Sequence, residues 1–296
     1  MKIISVGEIL WDIIGQEEHL GGAPFNFAVQ ASRLGHEVLF VSGVGDDARG
    51  QRAVEQAQAL GLSTDYIKKV MGFPTGIAMV DLDADGQLSF QVQRPAAYDR
   101  VALTEQDIIA ITGQQPDWIY FGTLQQTSSS ARELTERLIN NNPRARRFYD
   151  VNLRPDGYNP TLVEELSLQA TVLKLNEFEA NTMARWFNLP VDSIEDFCRQ
   201  AAGRFGWQAV AVTRGADGCA LFMGDAFHES PGVRIQVADA VGAGDAFSAA
   251  FLHGLSADWP AARVADFANQ VGAIVAGRPG ATPDGTLDDI QPAAME

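Results

Sequence analysis

Basic residues are scarce in this chain. Its 296 residues carry 22 lysines and arginines against 38 aspartates and glutamates, a formal net charge of -16. Nonspecific binding to nucleic acid or to an anionic membrane needs a basic surface, so neither partner is expected. Backbone N–H groups and a few arginines can still hold a phosphate locally. Cysteine is nearly absent. Cys198 and Cys219 are the only two, and they have neither metal-ligand spacing nor the density of a disulfide framework. No apolar run approaches the roughly 18 residues of a membrane helix. The stretch after Met1 lacks the hydrophobic region of a signal peptide, and a reducing cytoplasm is the expected location. Glycine is nowhere followed by lysine, which excludes a Walker A loop. Gly-x-Ser-x-Gly and His-Glu-x-x-His are missing too. The four histidines, His19, His36, His228 and His253, are scattered and read as surface or packing residues.

What is present suits a full-sized core, since 46% of the residues are hydrophobic. That composition supports one large or two modest globular domains. Lys2 to Leu10 reads as a buried strand. Gly21-Gly-Ala-Pro-Phe-Asn26 opens a helix to about Leu34, and Gly35 ends it. Val38 to Val41 is a second strand; Gly43-Val-Gly-Asp-Asp47 is a loop before a helix that Gly61 stops. This β-α-β-α rhythm predicts a parallel sheet covered by helices. It breaks at Thr75 to Leu82 and Gln87 to Gln93, two strands around the turn Asp83-Ala-Asp-Gly86. Leu88, Phe90 and Val92 alternate with polar residues there, as in a sheet with one wet face. Such a hairpin, set apart from the main sheet, could act as a lid. From about Thr104 the first rhythm returns, with helices near 104–112, 128–141, 161–169, 177–187, 193–205, 245–255 and 261–276. Strands are expected near 117–121, 147–151, 171–175, 208–213, 219–223 and 233–237.

The chain is organised around Asp239-Ala-Val-Gly-Ala-Gly-Asp-Ala-Phe247. A β-like run, Val233 to Val237, leads into a turn on Gly242 and Gly244, and then into a helix. Glycines before a helix let backbone N–H groups point at a ligand. The first helical turn has unpaired donors and partial positive charge, so it binds anions, phosphate above all. Asp245 is a carboxylate inside that anion site. It would repel a resting phosphate, but it makes sense as a base that deprotonates a hydroxyl while the N–H groups hold developing phosphoryl charge. An N-cap Asp with two turn glycines is the simpler reading of the stretch alone.

Open parallel sheets bind ligands at the C-terminal ends of their strands, which directs attention to the polar residues there. Asp12 could accept hydrogen bonds from sugar hydroxyls. Gly21 and Gly22 could admit a ligand to the backbone, with Asn26 as donor and acceptor. Arg94, at the end of the hairpin, could cover an anionic or polyhydroxylated substrate. Asp150, Asn152 and Arg154 alternate after a strand, and an Arg there would neutralise charge on a transferring group. Asn176 and Glu179 form a capping-box pattern whose residues could also hold waters around Mg²⁺. The run Thr213-Arg-Gly-Ala-Asp-Gly218 could line a nucleotide. Each of these has an ordinary alternative as a surface residue, a turn or a cap.

Taken in order, the motifs resemble the ribokinase family of sugar kinases. They are Gly7-Glu-Ile-Leu-Trp-Asp12, His19-Leu-Gly-Gly-Ala-Pro-Phe-Asn26, Gly43-Val-Gly-Asp-Asp47, Asn176-Glu-Phe-Glu179 and Asp239-Ala-Val-Gly-Ala-Gly-Asp245. The resemblance implies a single three-layer α/β/α sandwich domain with a mostly parallel sheet. It also implies a small β lid from segments near 11–22 and 73–98. It implies ATP-dependent phosphorylation of a sugar hydroxyl. Asp245 would be the base. Backbone N–H groups of Val241, Gly242, Ala243 and Gly244 would form the anion hole. Asp12, Gly22, Asn26 and Asn152 would hold the sugar, and Arg94 and Arg154 would contact substrate or the transferring group. Asn176 and Glu179 would support Mg²⁺ and phosphates. Thr213, Gly215 and Gly218 would line the nucleotide, with Asn269 near its base. A monovalent cation, potassium, would sit by Asp239 and the loop after Gly280. Ala240 and Val241 stand where two threonines are frequent, so backbone carbonyls would have to replace a side-chain ligand. Asp245 is expected to stay ionised at neutral pH, because a helix N-terminus favours a carboxylate. The N-terminal motifs look most like bacterial fructokinases. A 2-keto-3-deoxygluconate kinase is the alternative, then a nucleoside or other sugar kinase, then a catalytically silent sugar- or nucleotide-binding regulator. An exposed lid edge could pair with a second copy to make a homodimer.

Overall fold

A computed structural model describes residues 1–82, 88–154 and 157–284. The chain runs β1 (Lys2–Val6), β2 (Leu10–Ile14), β3 (Glu17–Gly21), α1 (Ala23–Arg33), β4 (Glu37–Gly45), α2 (Ala48–Ala59), β5 (Ile67–Val70), β6 (Gly76–Leu82) and β7 (Leu88–Val92). It continues through α3 (Glu105–Gly113), β8 (Trp118–Gly122), α4 (Thr123–Gln126), α5 (Ser129–Asn141), β9 (Arg146–Asp150), α6 (Pro160–Gln169), β10 (Val172–Asn176) and α7 (Glu177–Trp186). Then come α8 (Ile194–Phe205), β11 (Ala209–Thr213), β12 (Cys219–Met223), β13 (Ala226–Ser230), α9 (Ala243–Ser256) and α10 (Ala261–Ala276).

Nine strands form the main sheet in the order β13-β12-β11-β10-β9-β8-β1-β4-β5. All neighbours pair in parallel except at β12, which runs against β11 and β13. The strands are apolar on both faces because helices cover both. In β1, Ile3 joins one core with α1, α2, α9 and α10, while Ile4 joins a second core with α3, α5, α6, α7 and α8. The first core is aromatic. Phe27 of α1 stacks on Tyr120 of β8 at a centroid distance of 3.7 Å, and Phe251 of α9 meets Phe148 of β9 edge-on at 5.8 Å. The result is an α/β/α sandwich. Its strand order reverses between β1 and β8, which is where an open parallel sheet offers a ligand crevice.

A second sheet of four strands, in the order β3-β2-β6-β7, stands apart. It is fastened to the sandwich at α2. The Trp11 indole donates to the Arg49 carbonyl at 3.1 Å, and Glu18 accepts hydrogen bonds from Arg49 and Arg52.

Several expected boundaries are wrong. Lys2 to Leu10 is not one strand: the chain turns at Gly7-Glu8-Ile9 and passes from the large sheet to the small one. Gly43 to Gly45 belong to β4 rather than to a loop. Val233 to Val237 is no strand. Its apolar residues are exposed and no neighbour pairs with them, so alternation there had no sheet to join. Glu17–Gly21 and Ala226–Ser230 are strands that the pattern did not reveal. The turn Asp83-Ala-Asp-Gly86 and the alternation of Leu88 and Phe90 lie outside the described side chains.

Candidate active site

The C-terminal ends of the strands and the small sheet enclose a cavity. Glu8, Asp12, Gly22, Asn26, Asn152, Arg154, Lys174, Asn176, Thr213, Gly242, Gly244 and Asp245 all line it. Asp245 lies on the first turn of α9 and is buried. Its Oδ2 accepts a hydrogen bond from the Asn26 side-chain amide of α1 at 2.8 Å. Asn26 Oδ1, on the other side of that amide, is buried without a partner. A hydroxyl placed between them could donate to either oxygen.

Burial pushes the Asp245 carboxyl up to about 6, helped by the charge of Asp150 and opposed by Lys174, Asn26 and Arg154. Burial therefore offsets the helix terminus, though not enough to undo the expected ionisation at neutral pH. Asp245 is still mostly ionised at pH 7, and it is a stronger base than an ordinary aspartate. Burial also raises Asp12 to about 7, with Arg154 opposing.

Beneath the turn lies a buried ion pair. Lys174 of β10 places Nζ 3.2 Å from both oxygens of Asp150 at the end of β9. Asp150 is fully buried and also accepts from the Tyr120 hydroxyl at 3.0 Å and from Ser248 Oγ of α9 at 2.9 Å. For Lys174, burial works against the charged form, but Asp150, Glu179 and Asp245 together outweigh it and raise its pKa. Sequence reading missed Lys174, although it stands just before the Asn-Glu-Phe-Glu run. A lysine two residues from the C-terminal end of a strand is pointed at the same crevice as the strand's last residue, by β alternation.

The anion hole is narrower than the motif implied. The Val241 N–H is already given to Asp239 Oδ1 at 2.9 Å, so it does not face the cavity as a donor. Gly242 is the N-cap of α9 at φ 80°, and Gly244 stands over Lys174, with only 3.3 Å between Nζ and the place a Cβ would take. A Cβ on Gly242 would fall inside contact distance of the Ala281 carbonyl. Gly242→Ala is therefore expected to cost more than about 1 kcal/mol and to lower turnover. Thermal denaturation and an ADP-release assay check both. Asp239 ties this turn to the loop at Gly280, whose N–H it accepts at 3.1 Å.

The other expected residues divide. Asn152 lines the cavity in a left-handed conformation, φ 36°. Gly21 makes room for the Asp12 carboxylate, while Gly22 lines the cavity and packs on the Glu8 backbone. A Cβ on Gly21 would meet Asp12, and one on Gly22 would lie 2.5 Å from the Glu8 carbonyl. Arg94 does not reach the cavity wall; it is held by Asp99, by the Leu124 carbonyl at 2.8 Å and by Thr127. Asn176 and Glu179 form a reciprocal cap, and Glu179 is buried with its second oxygen on the Leu153 N–H at 2.7 Å. Among the described residues no cluster of three or more His, Cys, Asp or Glu could hold a metal ion. With both oxygens taken and no place in the cavity lining, Glu179 does not face a metal as expected; of the pair only Asn176, at the cavity edge, could border a hydrated Mg²⁺ that arrives with phosphates. Gly218 packs on Ser230 and Gly232, and Asn269 of α10 donates to Ser230 and Pro231. Gly215 stands on the same turn as Gly218. Gly218 and Asn269 thus meet at residues 230–232, and none of the three lines the cavity itself.

The pfkB family carbohydrate kinase model matches residues 6–287. The chain belongs to that family. A carbohydrate kinase it therefore is, and relatives extend over nearly its whole length. Fructokinase-1 of Oryza sativa subsp. japonica is 28% identical over 95% of this chain and 93% of its own. A fructokinase with bound ATP from Xylella fastidiosa superposes with a TM-score of 0.80 at 28% identity, covering 95% and 94% of the two chains. A 2-dehydro-3-deoxygluconokinase from Thermotoga maritima gives 0.85 at 20% identity over the full length of both, a likeness of fold. No helix among the described residues is long and apolar enough to cross a membrane.

Proposed function

We propose that this kinase transfers the γ-phosphoryl group of ATP to a hydroxyl of a neutral sugar, D-fructose giving fructose 6-phosphate. The observation that carries this is the Asp245–Asn26 pair on the cavity floor, with one unpartnered amide oxygen beside a buried carboxylate of raised pKa. Asp245 is the base. Asp12, Asn26 and Asn152 hold the other hydroxyls, and Arg154 faces the group in flight. Asn176 and Thr213 border the phosphates, and Gly215, Gly218 and Asn269 shape the nucleotide end. Asn176 would border a hydrated Mg²⁺ carried in with the phosphates, which would supply charge neutralisation.

The sugar hydroxyl is far too weak an acid to ionise beforehand. The proton moves to Asp245 as oxygen bonds to phosphorus, while the bond from phosphorus to the bridging oxygen breaks and its electron pair leaves with ADP. Positioning and charge compensation supply most of the acceleration. The small sheet excludes water that would otherwise accept the phosphoryl group. Potassium near Asp239, held by backbone carbonyls, and a homodimer formed through the small sheet belong to the same reading.

The alternative, an acidic sugar such as 2-keto-3-deoxygluconate, draws on Arg154 and Lys174 in the wall. Lys174 is already paired with Asp150, and Glu8, Asp12 and Asp245 line the same space. An ADP-release assay with Mg-ATP over fructose, 2-keto-3-deoxygluconate, ribose and adenosine, with and without potassium, decides between them. Fructose is expected to be turned over with the highest kcat/KM. Preference for the acid would overturn the neutral-sugar reading.

A further inference from the structure

One group in the cavity wall has no part in the scheme above. Glu8 follows β1, at the turn where the chain leaves the large sheet for the small one. It is 4% exposed, it lines the cavity, and its Oε2 has no hydrogen-bond partner. A buried carboxylate oxygen without a partner is costly, and folding alone gives no reason to keep one. Of the charged groups that line the same cavity, Arg154 favours its ionised form and Asp245 opposes it. Gly22 packs directly on it: a Cβ there would lie 2.5 Å from the Glu8 carbonyl and 3.3 Å from its Cγ. Any side chain at position 22 would therefore displace Glu8 from the wall.

We infer that Glu8 is a substrate-specificity residue: its unpaired oxygen accepts a hydrogen bond from a non-reacting hydroxyl of a neutral sugar, and its carboxylate excludes acidic sugars. This rests on the neutral-sugar reading above. The unpaired oxygen supplies the acceptor, and a sugar hydroxyl supplies the donor that the protein withholds. Glu8 precedes the small sheet and Asp12 lies within it, while Asp245 lines the same cavity from α9. An anionic substrate would enter against the ionised forms of all three, with Arg154 as the countering cation and Lys174 already committed to Asp150. Burial raises the Glu8 carboxyl to about 7, so the pocket admits its neutral form readily, and a neutral isostere is compatible with the fold.

The test is Glu8→Gln and Glu8→Asp in the full chain, assayed with fructose, its singly deoxygenated analogues and 2-keto-3-deoxygluconate. In the wild type, one deoxy analogue is expected to lose at least tenfold in kcat/KM. Glu8→Gln is expected to raise the fructose KM at least fivefold and to leave the ATP KM within twofold. The penalty of that one analogue shrinks in the variant, and the ratio of acid to neutral turnover rises. A merely structural role would move no single analogue. Glu8→Asp, which keeps the charge and shortens the reach, weakens fructose binding without admitting the acid. If the wild type phosphorylates fructose and Glu8→Gln leaves the KM, the analogue pattern and the acid ratio unchanged, the assignment of Glu8 fails alone. If the wild type prefers the acid, the neutral-sugar reading fails and this assignment falls with it.

Discussion

Asp245→Asn is expected to lower kcat/KM for sugar phosphorylation by about a thousandfold, within the range for removal of a positioned general base. The protein should fold normally. The Asn26 amide still finds an oxygen to donate to, and burial already works against the charged form of this side chain. A neutral isostere thus removes a group whose ionisation opposes folding at neutral pH. The wild-type pH profile offers an independent check. A base must be ionised, and the ionised fraction falls as pH drops through about 6. Wild-type kcat/KM should therefore decline on the acid side, approaching tenfold per pH unit below that point. Protonation of Asp12, near 7, should add a rise in sugar KM that begins at higher pH. In Asp245→Asn the residual rate should lose the limb near 6. Turnover close to wild type, or an unchanged acid limb, would remove Asp245 from its role.

Much of this arrangement is legible in the sequence, for a physical reason. A residue that follows an apolar strand must emerge at the crevice, so Asn152, Asn176 and Thr213 could be placed at one cavity before any coordinates; Asp12 reaches that cavity by another route, from the middle of β2 in the small sheet. Helix limits follow from caps and glycines. The strand pattern failed where its premise failed. Val233 to Val237 alternates as a strand does but finds no neighbour, and Ala238 and Asp239 instead donate to the Ala276 carbonyl. Arg94 looked like a lid cation, yet Asp99 is near enough along the chain to claim it. Glu8 and Lys174 went unread for a related reason. Both are charged residues within apolar runs, and what makes them notable is a long-range partner, or the lack of one, which spacing does not encode. For Glu8 that is an oxygen with no donor; for Lys174 it is Asp150, 24 residues away.

Lys174→Met is expected to have the second large effect, and to act on stability and acidity together. It leaves Asp150 fully buried without its cation. Removing one partner of a buried pair costs about 3–5 kcal/mol, which a denaturant titration would read. Lys174 also holds the Asp245 carboxyl down, while Asp150 pushes it up. Without the lysine, burial and Asp150 favour the protonated form and only Asn26 and Arg154 oppose them. The acid limb of kcat/KM should then move to higher pH, less of the base is ionised at pH 7, and part of the lost rate should return at about pH 8.5. Asp150→Asn combined with Lys174→Met separates the two effects. The double variant buries no charge at this position, so most of the stability should return. Its acid limb should move back too, because Asp150 no longer raises Asp245. The positive charge under the Gly244 turn remains absent, so turnover at its pH optimum should stay low. Recovery of full activity in the double variant would reduce Lys174 to a packing role. Wild-type stability in the single variant would overturn the stabilising role of the Lys174–Asp150 pair.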